Sequence, residues 1–180
     1  ILTSGMVYRE GDVIDLGTLI QPKAEAELAF VLKDELRGPG LNLIDVLRAT
    51  EYVVPALEVL DSRIEMAGRT ITDTISDNAA LGSMVLGGRP VAPDAVDLRW
   101  VAGTLSRNQT IEETGVAAGV LNHPGNGVHW LANRLADHGD ALAAGEIVLA
   151  GSFTRPMHVS AGDTVTADYG SLGTVTCHIA

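Results

Sequence analysis

The pattern of apolar and polar positions along the chain is weighted towards strands. The stretch "PKAEAELAFVL", Pro22 to Leu32, reads as a strand, clearest from Ala26 onward. "YVVPALEVLDSRI" is a continuous run rich in Val, Leu and Ile and reads as a buried strand, with Pro55 marking an edge or a bulge because proline cannot donate to a ladder. Between them a Gly-Pro-Gly turn precedes "LNLIDVLRAT", whose spacing predicts a short helix capped near Asn42. "ITDTISDNAALGSMVLGG" predicts a polar loop or short helix and then a strand, and "DLRWVAGTLSRNQTIEETG" a hairpin turning near Asn108. The best helix is "HPGNGVHWLANRLADHG". Pro124 suits its first turn, Val128, Leu131, Ala132 and Leu135 form one apolar face, and Gly139 supplies the stop. "GEIVLAGSF" then reads as a strand and "DTVTADYGSLGTVTCHIA" as a hairpin turning at "YGSLG". There is no βαβ rhythm, repeat or linker, so residues 1–180 are expected to form one α+β, β-rich domain.

Composition narrows the function. The 180 residues are 46% hydrophobic, enough for one domain with a sizeable core. A net charge of −11 argues against nucleic acid or an anionic membrane as partner and is compatible with holding metal cations. The single cysteine, Cys177, excludes an internal disulfide framework and reads as a small core residue. No apolar run approaches the roughly 20 residues needed to span a bilayer, and no signal-peptide pattern opens the chain, so the cytoplasm is the expected location.

The chemistry concentrates in carboxylates. Glu25 and Glu27 are spaced i, i+2 and so point to one face of their strand, where like charges repel. Glu58 is a second carboxylate site inside an otherwise apolar strand. Lysine, the usual partner, occurs only at Lys23 and Lys33. Two readings stay open: the three carboxylates hold a hard divalent cation such as Mg²⁺ or Mn²⁺, or Glu25 and Glu27 face solvent while Glu58 pairs with an arginine. The five histidines have no metal-ligand spacing, and there is no glycine-rich phosphate loop. "TISDNAA" clusters Ser76, Asp77 and Asn78, as a capping loop or a polar site. "LAGSFTRP" follows a strand with glycine, hydroxyls and Arg155, which suits an anionic ligand or an ordinary turn.

Taken together, "QPKAEAELAFVL", "VVPALEVLDSRI", "DTISDNAALGSMVLGGRP", "IEETGVAAGVLNHPGNGVHWLANRL" and "AGEIVLAGSFTRP" resemble the 2-oxo-hept-4-ene-1,7-dioate hydratases. These lie in the hydratase/decarboxylase branch of the fumarylacetoacetate-hydrolase-like superfamily. The resemblance implies a rolled mixed β-sheet core with the active site in its mouth. It implies Mg²⁺ or Mn²⁺ on Glu25, Glu27 and Glu58, a small 2-oxo dicarboxylate as substrate and a homo-oligomer. It also implies hydration of the 2-hydroxy-2,4-dienoate tautomer to a 4-hydroxy-2-oxo acid in aromatic meta-cleavage catabolism. Alternatives are a 2-hydroxypenta-2,4-dienoate hydratase, a 2-oxo-3-enedioate decarboxylase, or a truncated, non-catalytic metal and oxo-acid binding module. By the same resemblance Ser152, Phe153 and Arg155 bind substrate, with Asn78, Ser76 and Asp77 as candidates for positioning water or substrate. Relatives carry a proton-transfer lysine ahead of the E-x-E strand. Neither Lys23 nor Lys33 matches its motif, so that segment is expected to lie outside these 180 residues.

Overall fold

The computed structural model describes residues 1–180. In chain order the strands and helices are β1 (Val7–Arg9), β2 (Val13–Ile14), β3 (Pro22–Leu32), α1 (Leu43–Ala49), β4 (Thr50–Asp61), α2 (Ile71–Ser76), β5 (Leu81–Leu86), β6 (Ala102–Arg107), β7 (Thr110–Val116), α3 (Gly125–Ala136), β8 (Ile147–Leu149), β9 (Met157–His158), β10 (Thr164–Asp168) and β11 (Thr174–Ile179). They build two mixed sheets. The first has the order β1-β5-β4-β3-β8, with β9 also on β3, and the second has the order β2-β11-β10-β6-β7. The parallel pairs are β1 with β5 and β2 with β11.

Strand β3 explains the arrangement. Its even positions, Ala24, Ala26, Leu28, Phe30 and Leu32, enter a cluster of 32 buried residues that also takes in Val165, Val175 and Cys177 of the second sheet. Its odd positions point the other way, and there Ala29 and Val31 join Val54 and Ala56 of β4 in a smaller cluster. Both faces of β3 are therefore covered, which is why the run reads as nearly continuous apolar sequence. Leu28 and Phe30 are fully buried, each contributing about 1.5–3 kcal/mol through the area it removes from water.

The long elements follow the sequence pattern. Asn42 caps α1, accepting from the Ile44 N–H, while Asp45 accepts from the Asn42 N–H. The β6–β7 turn is Asn108-Gln109, both left-handed, as a two-residue hairpin of this twist requires. Pro55 lies in a central strand, between β3 and β5, and no bulge falls at it. Val53 exchanges both ladder bonds with Val91, so Pro55 turns its missing N–H to the same side, just beyond the end of β5. The local ladder has a gap there, and only the Pro55 carbonyl is used, accepting from Gly87 at 3.3 Å.

On the far edge of β3 the partner strand is interrupted. β8 pairs with Ala29–Val31 and β9 with Lys23–Ala24, and the chain bows out between them. The bow is "AGSFTRP", and it lies opposite Glu25 and Glu27.

Candidate metal centre

The β3–β4 register sets Glu25 directly opposite Glu58, and Glu27 opposite Ala56. Paired residues share a face, so all three carboxylates project from the side of the sheet away from the main core. One oxygen from each lies within 4.8 Å of the others. Glu27 is 2% exposed, and Glu25 and Glu58 are half-buried. The alternative of solvent-facing glutamates with Glu58 on an arginine is thereby excluded, because none of the chain's ion pairs involves these residues.

Like charges at that spacing repel by about 3–4 kcal/mol per pair at an effective dielectric of about 20. The carboxyls respond by holding protons. Burial, reinforced by the Glu58 charge and opposed by Lys23, pushes the Glu25 carboxyl up to about 7. Burial, the Glu58 charge and a hydrogen bond with Glu58 hold Glu27 well above the usual carboxylate range, against a backbone donor from Gly151. Burial raises Glu58 too, tempered by its bond with Glu27. Three crowded carboxyls in a half-dry site, with no cationic side chain bonded to them, are an oxygen donor set suited to a hard divalent ion. The residues present fit such an ion. With metal–oxygen bonds of about 2.1 Å it would need only small side-chain adjustments to touch all three groups.

The interrupted edge of β3 lies beside the trio. Where β3 lacks a strand partner, the Ala26 N–H donates to Thr154 Oγ1 at 3.0 Å and the Phe153 N–H donates to the Ala26 carbonyl at 3.4 Å. Ser152 Oγ bonds the Thr154 carbonyl at 2.9 Å and the Ala26 carbonyl at 3.3 Å. Gly151, at φ 108°, turns its N–H onto Glu27 Oε2 at 2.9 Å. The loop therefore stays attached to β3 while leaving the space beside Glu25 and Glu27 free of a strand. Arg155 is 84% exposed and pairs with Glu113 of β7 at 3.0 Å, at the rim of a cleft of about 540 Å³. Ser152, Phe153 and Thr154 line the same cleft.

Ser76, Asp77 and Asn78 lie ahead of β5, outside the carboxylate trio. Asp77 is buried and engaged by Arg63, whose Nε donates to Oδ1 at 2.8 Å and whose peptide N–H donates to Oδ2 at 3.1 Å. Ser76 is exposed at the end of α2. Asn78 donates to the Ile1 carbonyl at 2.8 Å. Asn78, Ala79 and Ala80 have φ of 54°, 57° and 62°, three consecutive left-handed residues without a glycine. Such backbone costs about 1 kcal/mol or more per residue and gathers at functional sites.

Two contributors escaped the sequence reading. The Gly151 donor is a peptide group, invisible to side-chain patterns. Tyr169 lies in "DYGSLG", read above only as a turn, yet its hydroxyl reaches the Glu27 peptide. The chain has only two Trp, three Tyr and two Phe, and that scarcity is the one signal that could have singled it out. No helix is long and apolar enough to cross a membrane.

Residues 10–180 match the family model described as fumarylacetoacetate (FAA) hydrolase C-terminal. The chain is 52% identical, over 98% of its length and 68% of the relative, to a 2-oxo-hept-4-ene-1,7-dioate hydratase of Escherichia coli. It is 40% identical, over 93% of its length and 63% of the relative, to a 4-oxalocrotonate decarboxylase of Pseudomonas putida. Among solved structures, 4-oxalocrotonate decarboxylase from Pseudomonas putida G7, complexed with magnesium and adipate, superposes with a TM-score of 0.94 at 38% identity, covering 98% of this chain and 67% of that one. The chain thus spans about two thirds of the length of the relatives it matches.

Proposed function

The chain belongs to the fumarylacetoacetate hydrolase family, and from that premise we propose that it forms the metal-binding core of a hydratase. The substrate is 2-oxohept-4-ene-1,7-dioate, taken as its 2-hydroxy-2,4-dienoate tautomer, and the product is 4-hydroxy-2-oxoheptanedioate. The observation that carries this reading is the 52% identity to a hydratase of that name, set on a carboxylate trio able to hold Mg²⁺ or Mn²⁺.

The reaction balances as a net gain of water. The enol O–H proton leaves as C2 becomes a carbonyl and a proton goes to C5, so that the double bond moves to C3–C4; water oxygen then bonds to C4, one water proton is released, and C3 takes a proton. A bound divalent ion supplies Lewis-acid polarisation at the substrate's carboxylate and 2-oxo oxygens. Glu25, Glu27 and Glu58 would hold that ion. The Gly151 N–H fixes one Glu27 oxygen, so the carboxylate presents the other. Ser152 and the Phe153 peptide group lie on the loop tied to Ala26 and Glu27, where the oxalyl end of the substrate is proposed to bind. Arg155 neutralises the distal carboxylate, exchanging Glu113 for the substrate. Asn78, with Ser76 and Asp77, positions water or substrate, a role supported by the strained backbone at Asn78–Ala80. The protein acts as a homo-oligomer.

The decarboxylase reading draws on the same residues and on the fold match to a decarboxylase. Mass analysis of the product separates the two. With Mg²⁺ present, 2-hydroxyhepta-2,4-diene-1,7-dioate should gain one water, whereas release of carbon dioxide from a 2-oxo-3-enedioate without hydration would favour the alternative. An Arg155→Ala variant should lose its preference for the seven-carbon diacid over 2-hydroxypenta-2,4-dienoate, and an unchanged ratio of kcat/KM would remove Arg155 from the site.

A further inference from the structure

Tyr169 follows β10 and stands behind the carboxylate trio, on the core side of the first sheet. It is 3% exposed. Its hydroxyl meets one point of the sheet, the peptide groups of the opposed pair Glu27 and Ala56. The Glu27 N–H donates to Tyr169 Oη at 3.0 Å. The hydroxyl in turn has two carbonyls in reach, Ala56 at 2.5 Å and Glu27 at 3.0 Å, and its one proton goes chiefly to the nearer. An antiparallel pair of this kind ordinarily exchanges its two N–H and C=O groups with each other. Here a side chain from the turn after β10 takes part in the exchange, at the residue whose carboxylate is the most buried of the trio.

The ring of Tyr169 is held as firmly as its tip. Phe153 meets it edge-on, with centroids 6.0 Å apart and planes at 81°. Phe153 itself is seated by two glycines. A Cβ on Gly103 would fall 2.8 Å from its ring, and one on Gly115 would fall 1.7 Å from its carbonyl oxygen. The loop that carries the Gly151 donor and the Ser152 hydroxyl is therefore fixed to the same ring that contacts the Glu27 peptide.

We propose that Tyr169 is a positioning residue for the metal centre. Its hydroxyl sets the Glu27 backbone against Ala56 and hence the Glu27 carboxylate against Glu58, and its ring holds the Gly151–Phe153 segment in register with that point. Without the hydroxyl, β3 and β4 can close on each other at Glu27, and both the carboxylate and the loop donor lose their placement. The inference rests on the reading of Glu25, Glu27 and Glu58 as a metal site.

The test is Mn²⁺ binding by calorimetry and by electron paramagnetic resonance of the bound ion, on the parent chain and Tyr169→Phe. The phenylalanine keeps the ring contact and removes only the hydroxyl. The expected result is a loss of affinity of about tenfold, corrected for the folded fraction, with an altered zero-field splitting. A purely structural tyrosine would lower the melting temperature and leave the spectrum alone. Affinity within twofold of the parent and an identical spectrum overturn the proposal. A parent that binds no Mn²⁺ overturns the metal reading itself. Should Tyr169→Phe not fold, the parent answers. Tyrosine labelled with carbon-13 at Cζ gives three resonances, assigned through Tyr8→Phe and Tyr52→Phe. The Tyr169 signal must shift when Mg²⁺ binds, and an unmoved signal refutes the coupling.

Discussion

Raising the pH from 6 to 8 should tighten Mg²⁺ binding by about tenfold or more. The magnitude follows from Glu25, whose carboxyl is pushed up to about 7 by burial and by the Glu58 charge. Only the ionised carboxylate binds the ion. The penalty factor for Glu25 falls from about 11 at pH 6 to about 1.1 at pH 8, a tenfold gain in affinity. Burial and the Glu58 charge also hold Glu27 well above the usual carboxylate range, which adds to the slope. Calorimetry in buffers of different ionisation enthalpy should count about one proton or more released per ion at pH 6, falling as Glu25 ionises. The sign for stability is the reverse when the site holds no ion. A carboxyl raised in the folded state contributes stability that is full below its unfolded value of 4.5 and is lost as pH rises through about 7. The metal-free melting temperature should therefore fall between pH 5 and 8, and saturating Mg²⁺ should cancel that fall. Binding that is flat in pH and releases no protons would refute the account of the site.

Two further outcomes follow from the same geometry. Glu58→Gln should abolish tight metal binding yet raise metal-free stability at pH 8 by about 1–2 kcal/mol, since it removes one of three crowded carboxylates; a drop in the denaturation midpoint would contradict this. Gly115→Ala places a Cβ 1.7 Å from the Phe153 carbonyl oxygen, and the loop or β7 must move at a cost of about 2–3 kcal/mol. A midpoint unchanged from the parent would show that Phe153 is not seated there.

Much of the frame was legible in sequence because the long elements carry their own period. β3, β4, α1 and α3 show alternation, continuous runs, caps and glycine stops over seven residues or more. β1, β2 and β9, two or three residues each, are too short to show any period, and the parallel pairs that β1 and β2 form join segments distant in the chain. The site divides in the same way. Glu25 and Glu27 share a face by strand geometry alone, so their conflict of charge could be read directly. That Glu58 stands opposite Glu25 depends on the β3–β4 register, which no local rule fixes. Pro55 was read as an edge or bulge marker, and the structure satisfies it differently, at a gap in the ladder of a central strand. Tyr169, Gly151 and the Arg63 partner of Asp77 act through long-range contacts or peptide groups, which leave no local trace in sequence.

The central claim is that β3 and β4 together build one divalent metal site. Crystals grown with Mn²⁺, with diffraction collected at the manganese edge, test it most directly. The account predicts one anomalous peak per chain, bonded to Glu25, Glu27 and Glu58. A map with no peak there, or with manganese only at other carboxylates, would contradict it.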